Sequence, residues 1–198
     1  TGARVSIILS VSAVALAAFG GIVCGLFAGF GPRLADGATM RIMDVLLSFP
    51  PILLAIVIAA VLGPGVVNAV IAIGIVHLPI FTRLVRARTL SLREMEFVEG
   101  AKVLGASRFN IAVRHVLPNL RGTIIVQCTA SLAYAILTDA TLSFLGLGVQ
   151  PPTPTWGSML SDARSYMYSY YGLAVFPGIA IMLTVVGINL LGDSLRDA

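Results

Sequence analysis

Residues 5–32 contain no charged side chain. An α-helix rises about 1.5 Å per residue, so this run alone more than crosses a hydrocarbon core of about 30 Å. Four further apolar runs follow, at residues 45–62, 66–82, 122–138 and 172–192. Only 11% of the 198 residues are charged, 58% are hydrophobic, and the mean hydropathy is +0.97. Soluble domains carry about 25% charged residues. The expected class is an all-α integral membrane protein, multi-pass, with about five transmembrane helices in a lipid bilayer.

The runs differ internally. In the first, Gly20 stands beside Gly21, Gly25 and Gly29, which fall four apart. That spacing lets another helix approach closely, although glycine is also common in membrane helices generally. Residues 31–43 read as a short loop holding Arg33, Asp36 and Arg41. Asp44, just beyond it, pairs with Arg41, meets a partner or stays solvated. Pro50 and Pro51 should kink or break the second helix. Gly63-Pro64-Gly65 is a turn signal. His77 and Pro79 lie in the later half of the third span. A polar residue in a span usually faces the bundle interior, so His77 either lines a path or bonds a neighbouring backbone carbonyl. Asp139 closes the fourth span. Residues 141–171 then form a long, almost uncharged loop rich in Pro and aromatics, whose Tyr166, Tyr168, Tyr170 and Tyr171 suit a membrane–water interface.

Between the third and fourth spans lies a polar stretch, residues 94–118. From Ser91 to Leu104 the only helix breaker is Gly100. Phe97, Ala101 and Leu104 follow the spacing of one helical face, which Val98 widens. Gly105 suits the position just past the helix end, where φ is positive. Ser107 can cap a second helix by accepting from a backbone N–H near Asn110. Ala106, Phe109, Val113 and Val116 or Leu117 give that helix an apolar stripe. Pro118 fits the first turn of a third helix. The stretch is thus expected to be helix, tight turn, helix, then entry into the membrane. Such a projecting amphipathic helix is a partner surface or, alternatively, an element lying on lipid headgroups.

The chemistry of other classes is absent from the sequence. The nearest approach to a phosphate-cradling loop, Gly100 to Ser107, has Ala106 where lysine is required, and no strand precedes it. His77 and His115 are far apart, and Cys24 and Cys128 lie in different apolar runs as packing residues, so no metal set forms. There is no G-x-S-x-G nucleophile elbow. Asp193, after Gly192, and Asp139 stand at span ends on opposite faces, too far apart to share a proton as an aspartyl pair must. The net charge of +4 comes without a basic stripe interleaved with aromatics, which argues against nucleic acid.

Glu99-Gly100-Ala101, three residues, Gly105, nine residues, then His115-Val116-Leu117-Pro118-Asn119 resembles the EAA loop of ATP-binding-cassette importer permeases. Gly100 stands for the first Ala of that loop and His115 for its usual Ile. The H-x-L-P-N form is similar to the dipeptide/oligopeptide/nickel branch, as are Met40-Arg41 to Asp44 with Phe49-Pro50, Phe144-Leu145-Gly146-Leu147-Gly148, and Trp156-Gly157. The resemblance covers nearly the whole chain and implies a type I importer transmembrane domain over residues 1–198. It implies a cytoplasmic coupling loop at residues 93–117, an external loop at residues 141–171, and one more helix upstream.

The resemblance also implies the roles. The chain would be a non-catalytic, C-type permease subunit in a bacterial plasma (inner) membrane. Glu99, Gly100, Ala101, Lys102, Gly105, Ala106, Ser107, Arg108, Leu117 and Pro118 would couple it to the ATPase. Its partners would be a homologous permease subunit in a heterodimer, two ATPase subunits or one fused pair, and an extracytoplasmic substrate-binding protein. ATP and Mg would sit on the ATPases, with no cofactor on this chain. Cargo would be di- or oligopeptides, with nickel, glutathione or haem as alternatives. A secondary transporter or channel without an ATPase is the competing class, and it expects ionisable groups inside spans; only His77 qualifies. With the Glu99 loop in the cytoplasm and the spans alternating, eleven of the thirteen basic residues fall inside: Arg33, Arg41, Arg83, Arg86, Arg88, Arg93, Lys102, Arg108, Arg114, Arg121 and Arg196. Only Arg4 and Arg164 fall outside, as the positive-inside rule requires.

Overall fold

The computed structural model describes residues 2–197, with side chains through residue 195; the Arg196 side chain lies outside the described residues. The described chain is helical almost throughout. α1 (Gly2–Phe30) and α4 (Val66–Leu92) form the central pair. They run parallel, because Gly21, Gly25 and Gly29 of α1 meet Phe81, Val85 and Thr89 of α4 in step. A β-carbon added at Gly25 would lie 2.7 Å from Val85 Cβ and 2.8 Å from the Thr82 carbonyl oxygen. One at Gly29 would lie 2.6 Å from Thr89 Cγ2. The glycine spacing therefore serves close helix packing. The apolar core around this pair is rich in small residues, among them Ala13, Ala17, Ala55, Ala59, Ala69 and Ala72, as expected where van der Waals fit between helices must replace hydrophobic drive.

Two parallel neighbours require a return path, supplied by α2 (Arg33–Leu47) and α3 (Pro51–Leu62). They meet at 93°. Pro50 disfavours helix at the residue before it, and Pro51 opens α3 where no N–H is needed. The expected loop at residues 31–43 is instead mostly helix. Its Arg, Leu, Ala and Met residues form helix readily, Pro32 precedes its first turn, and two ion pairs lay it against α4. In one, Asp36 joins Arg86, with Nη2 2.7 Å from Oδ2. In the other, Asp44 joins Arg83, which corrects the Arg41 pairing considered for it. After α3 the chain reverses at Gly63 and Gly65, both with positive φ. The Asn68 side chain donates to the Leu62 and Gly63 carbonyls at 2.9 and 3.0 Å, covering the end of α3.

α4 continues ten residues beyond the expected end at Thr82, so Arg83, Arg86 and Arg88 are helical. His77 is buried within it with no partner for Nδ1. After the loop described below, one unbroken helix covers residues 108–144: α6 (Arg108–Asn110), a π-helical turn (Ile111–Val116) and α7 (Leu117–Phe144). The fourth span does not end at Asp139. That carboxylate is fully buried inside α7, where the Ser143 hydroxyl donates to Oδ1 at 3.3 Å. α7 stops at Gly146, whose φ of 78° lets the Leu147 N–H reach back to the Leu142 carbonyl at 2.9 Å.

Residues 141–171, expected from composition to be loop, contain a further helix. α8 (Trp156–Ala163) starts with a reciprocal cap: the Ser158 N–H donates to Thr155 Oγ1 at 3.0 Å, and the Thr155 N–H to Ser158 Oγ at 2.9 Å. Gly157 brings α8 down onto Ala140 and Ser143, and the Trp156 N–H donates to Ser6 Oγ of α1 at 3.2 Å. This seating over α7 and α1 removes Asp139 from solvent. The four tyrosines of the segment are exposed beyond α8. α9 (Gly172–Asp197) packs on α7 and α8 and otherwise presents an apolar surface. Four helices among the described residues are long and apolar enough to span a membrane, and the bent α2–α3 pair brings the number to five if it is counted as one broken span.

Candidate functional site

α5 (Glu96–Val103) leaves α4 at the charged end of the bundle. Glu96 and Glu99 occupy its first turn and Lys102 its last, matching the helix dipole at both ends. It closes with two reaching hydrogen bonds, the Gly105 N–H to the Lys102 carbonyl at 2.9 Å and the Ala106 N–H to the Ala101 carbonyl at 3.0 Å. This closure needs a left-handed residue, and Gly105 has φ of 81°. Ser107 follows and accepts from the Asn110 N–H at 3.2 Å, starting the next helix where the sequence placed it.

The faces of this loop differ from the expected ones. Val98 and Ala101 point into the bundle with Val85, Ile111, Val116 and Leu120, and against Ile22, Leu26 and Phe30 of α1. Phe97 and Leu104 do not join them. Phe97 is 41% exposed, Val103 87% and Leu104 89%. The tight turn at Gly105 brings the chain back against one side of α5, so only Val98 and Ala101 are covered. The second stripe also shifts. Ile111, Ala112 and Val116 are buried, while Phe109 and Val113 are exposed. The π turn takes more residues per turn than an α-helix, and so re-aims the side chains before it. It also accommodates Pro118 without a break: the Leu117 N–H bonds the Ala112 carbonyl, five residues back. Pro118 lies in the first turn of α7 as expected, but α7 continues the π turn without a separate start. Leu117 is half-buried and Pro118 exposed, both within the continuous helix.

The outward side of α5 presents Phe97, Gly100, Val103 and Leu104, flanked by exposed Glu96 and Glu99. A β-carbon at Gly100 would meet nothing within 4 Å. Lys102, Ser107 and Arg108 are exposed and Ala106 half-buried. The loop's cations turn toward α1 and α4. Arg93 Nη1 donates to the Gly29 carbonyl at 3.0 Å, Arg108 Nη1 to the Phe30 carbonyl at 3.4 Å, and Lys102 Nζ to the Arg93 carbonyl at 3.4 Å. Together with Glu94, Glu99 and Ile111 they line an open cavity of about 530 Å³ under the end of α1. The structure thus holds residues 99–108 on one compact loop, with Ala101 turned into the bundle and Leu117 and Pro118 further along the 108–144 helix. It leaves His77, Asp44 and Asp139 apart from that loop and from each other. Arg93 carries no distinguishing signal in the sequence, because its contact with the Gly29 carbonyl joins residues 64 apart and exists only once α1 and α4 are packed.

Residues 21–198 match the family described as binding-protein-dependent transport system inner membrane component. A di/tripeptide transport system permease protein of Pseudomonas aeruginosa (strain UCBPP-PA14) is 47% identical over 197 residues, and a dipeptide transport system permease protein of Alkalihalophilus pseudofirmus is 50% identical. A glutathione transport system permease protein of Pectobacterium atrosepticum (strain SCRI 1043) is 46% identical. Each alignment covers all of this chain and 65% of the relative, so the chain spans about two thirds of the length of these relatives. Among solved structures, the methionine ABC transporter MetNI in an inward-facing conformation superposes with a TM-score of 0.75 at 17% identity, covering 99% of this chain and 94% of that one. That likeness shows a shared fold.

Proposed function

This chain belongs to the family of binding-protein-dependent transport system inner membrane components, and from that premise we propose that it is a permease subunit of an ATP-driven importer of short peptides in a bacterial inner membrane. The observation that carries the proposal is the outward face of α5. Phe97, Val103 and Leu104 form an apolar ridge on a short charged helix, interrupted by Gly100, which has open space around it. Glycine in a helix interior costs up to about 1 kcal/mol relative to alanine. No contact within this chain calls for it, so a closely approaching partner is the economical explanation. The apolar ridge would enter a groove on an ATPase subunit, leaving Glu96 and Glu99 at the rim.

The mechanism follows from the continuity of the backbone. α5 is joined directly to α4 on one side and, through Gly105 and Ser107, to the helix of residues 108–144 on the other. Closure of two nucleotide-loaded ATPases would move α5, and both spans with it. Transport requires that ATP favour one arrangement of the spans over the other by differential contacts. A homologous permease subunit and an external binding protein complete the assembly in this reading. The cargo class rests on relatives named for di- and tripeptides and for glutathione, itself a tripeptide.

Reconstitution tests the proposal. The chain, its cognate permease and ATPase subunits and a binding protein in liposomes should give ATP-dependent uptake of a labelled dipeptide. Gly100→Leu should leave the chain folded while weakening ATPase association at least about tenfold, the effect of a lost contact of about 1.4 kcal/mol. Uptake driven by an ion gradient without any ATPase would overturn the reading.

A further inference from the structure

The helix ends around the loop are treated unequally. α4 and the 108–144 helix are joined to α5 by the chain itself. α1 ends at Phe30, far away in sequence, yet its last carbonyls lie under the loop. The final carbonyls of a helix lack intrahelical donors and carry the negative end of its dipole. Here the Phe27 carbonyl takes the Gly31 N–H at 2.8 Å, and side chains from the two ends of the loop supply two of the others. Arg93, the residue just past α4, holds the Gly29 carbonyl at 3.0 Å; Arg108, the first residue of α6, makes the longer contact to Phe30. Among the described residues the only ion pairs are those of α2 with α4, so Arg93 is not drawn away by Glu94 or Glu99. The carbonyl that Arg93 holds belongs to Gly29, the same residue whose missing side chain admits Thr89 of α4.

We infer that Arg93 is a positioning residue that fastens the end of α1 to the loop, so that α1, α4 and α5 move as one body when the loop moves. This inference rests on reading α5 as the surface driven by an ATPase, and it adds the route by which that drive reaches a helix the loop does not covalently touch. Force arriving at Gly29 enters the glycine seam and spreads along both central helices. The packing of Val98 and Ala101 on Ile22, Leu26 and Phe30 of α1 is non-directional. A guanidinium on a dipole-bearing carbonyl is directional and resists displacement.

The test uses the complete reconstituted transporter and reads coupling rather than activity alone. Arg93→Gln should leave ATP hydrolysis within about twofold while peptide uptake per ATP falls by at least about fivefold, the lower end of ordinary coupling effects. Arg93→Lys, which keeps the charge but not the planar fork, should fall between the two. Unchanged uptake per ATP in Arg93→Gln would overturn the inference. So would a proportional loss of hydrolysis and uptake, which marks a docking or folding role. If Arg93→Gln does not assemble, a second measurement decides. Phe30→Cys with Glu94→Cys, in a background free of Cys24 and Cys128, places thiols on α1 and the loop across the shared cavity. A short bis-maleimide should join them equally well with and without ATP, and the joined transporter should still work. Cross-linking confined to one state, or a cross-link that stops uptake, would show that α1 and the loop separate. A wild-type chain that binds no ATPase at all would overturn the coupling reading and this inference together.

Discussion

The glycines of the α1–α4 seam and those of the α5 loop look alike in sequence and have opposite surroundings. At Gly21, Gly25 and Gly29 an added β-carbon would run into α4. At Gly100 and Gly105 it would meet nothing within 4 Å. The seam glycines are explained entirely inside this chain, because they let two helices touch. Gly105 is explained by its own backbone, whose φ of 81° closes α5. Gly100 has neither excuse: it lies within a helix, faces outward and weakens the element it belongs to. Gly37, Gly122, Gly178 and Gly187 are equally open, so it is the position of Gly100 on the outward face of α5, not open space alone, that supports the proposed partner there.

Substitutions can break this comparison. The largest effect is expected at the seam. Gly25→Leu should cost about 3 kcal/mol or prevent folding, because overpacking against Val85 and the Thr82 carbonyl cannot be relieved by a flexible side chain. The thermal midpoint of the purified chain in detergent checks it. Next is Gly105→Val, which forces a β-branched residue into the left-handed region at about 1–3 kcal/mol. The damage should be local, seen as faster proteolysis within residues 94–110 while the bundle's midpoint moves less than in Gly25→Leu. Gly100→Ala should raise stability, by up to about 1 kcal/mol. If it instead destabilised the isolated chain, the claim that Gly100 answers to a partner would fail. The smallest change should come from Asp44→Asn. Its ion pair with Arg83 is half exposed on both sides, and such pairs contribute about 0–1 kcal/mol. A midpoint shift as large as that of Gly105→Val would mean that α2 braces the seam more than its exposed position allows.

Much of the loop was legible because short-range chemistry decides it. Gly105 and Ser107 define a stop and a start within three residues, and both occur as read. The number of membrane-crossing segments was legible from charge-free length. The facing of the loop was not. Phe97, Ala101 and Leu104 share a helical face by spacing, but a helix of eight residues has its orientation set by the turn that follows it. Periodicity cannot report that. Phe109 and Val113 were misplaced because a π turn has no firm signature in residue type. A carboxylate usually marks the end of a span, which is all that the sequence around Asp139 can convey. The burial of Asp139 depends on Trp156 and Gly157, far along the chain, coming to rest over Ser6 and Ser143. The ion pairs of α2 were illegible for the same reason, since Asp36 and Arg86 are neighbours only after α3 has turned the chain around.

The wide turn at Ile111–Val116 has a bearing on how this helix can be rewound. An α-helix advances about 100° per residue, so taking one residue out of a bulge, or passing it along, swivels everything upstream by roughly that amount. Arg108 and Phe109 sit immediately upstream of it. A single misfit residue thus sets the compass bearing of the loop against the span, and moving it would point the same side chains at a different quarter without lengthening, breaking or bending the rod.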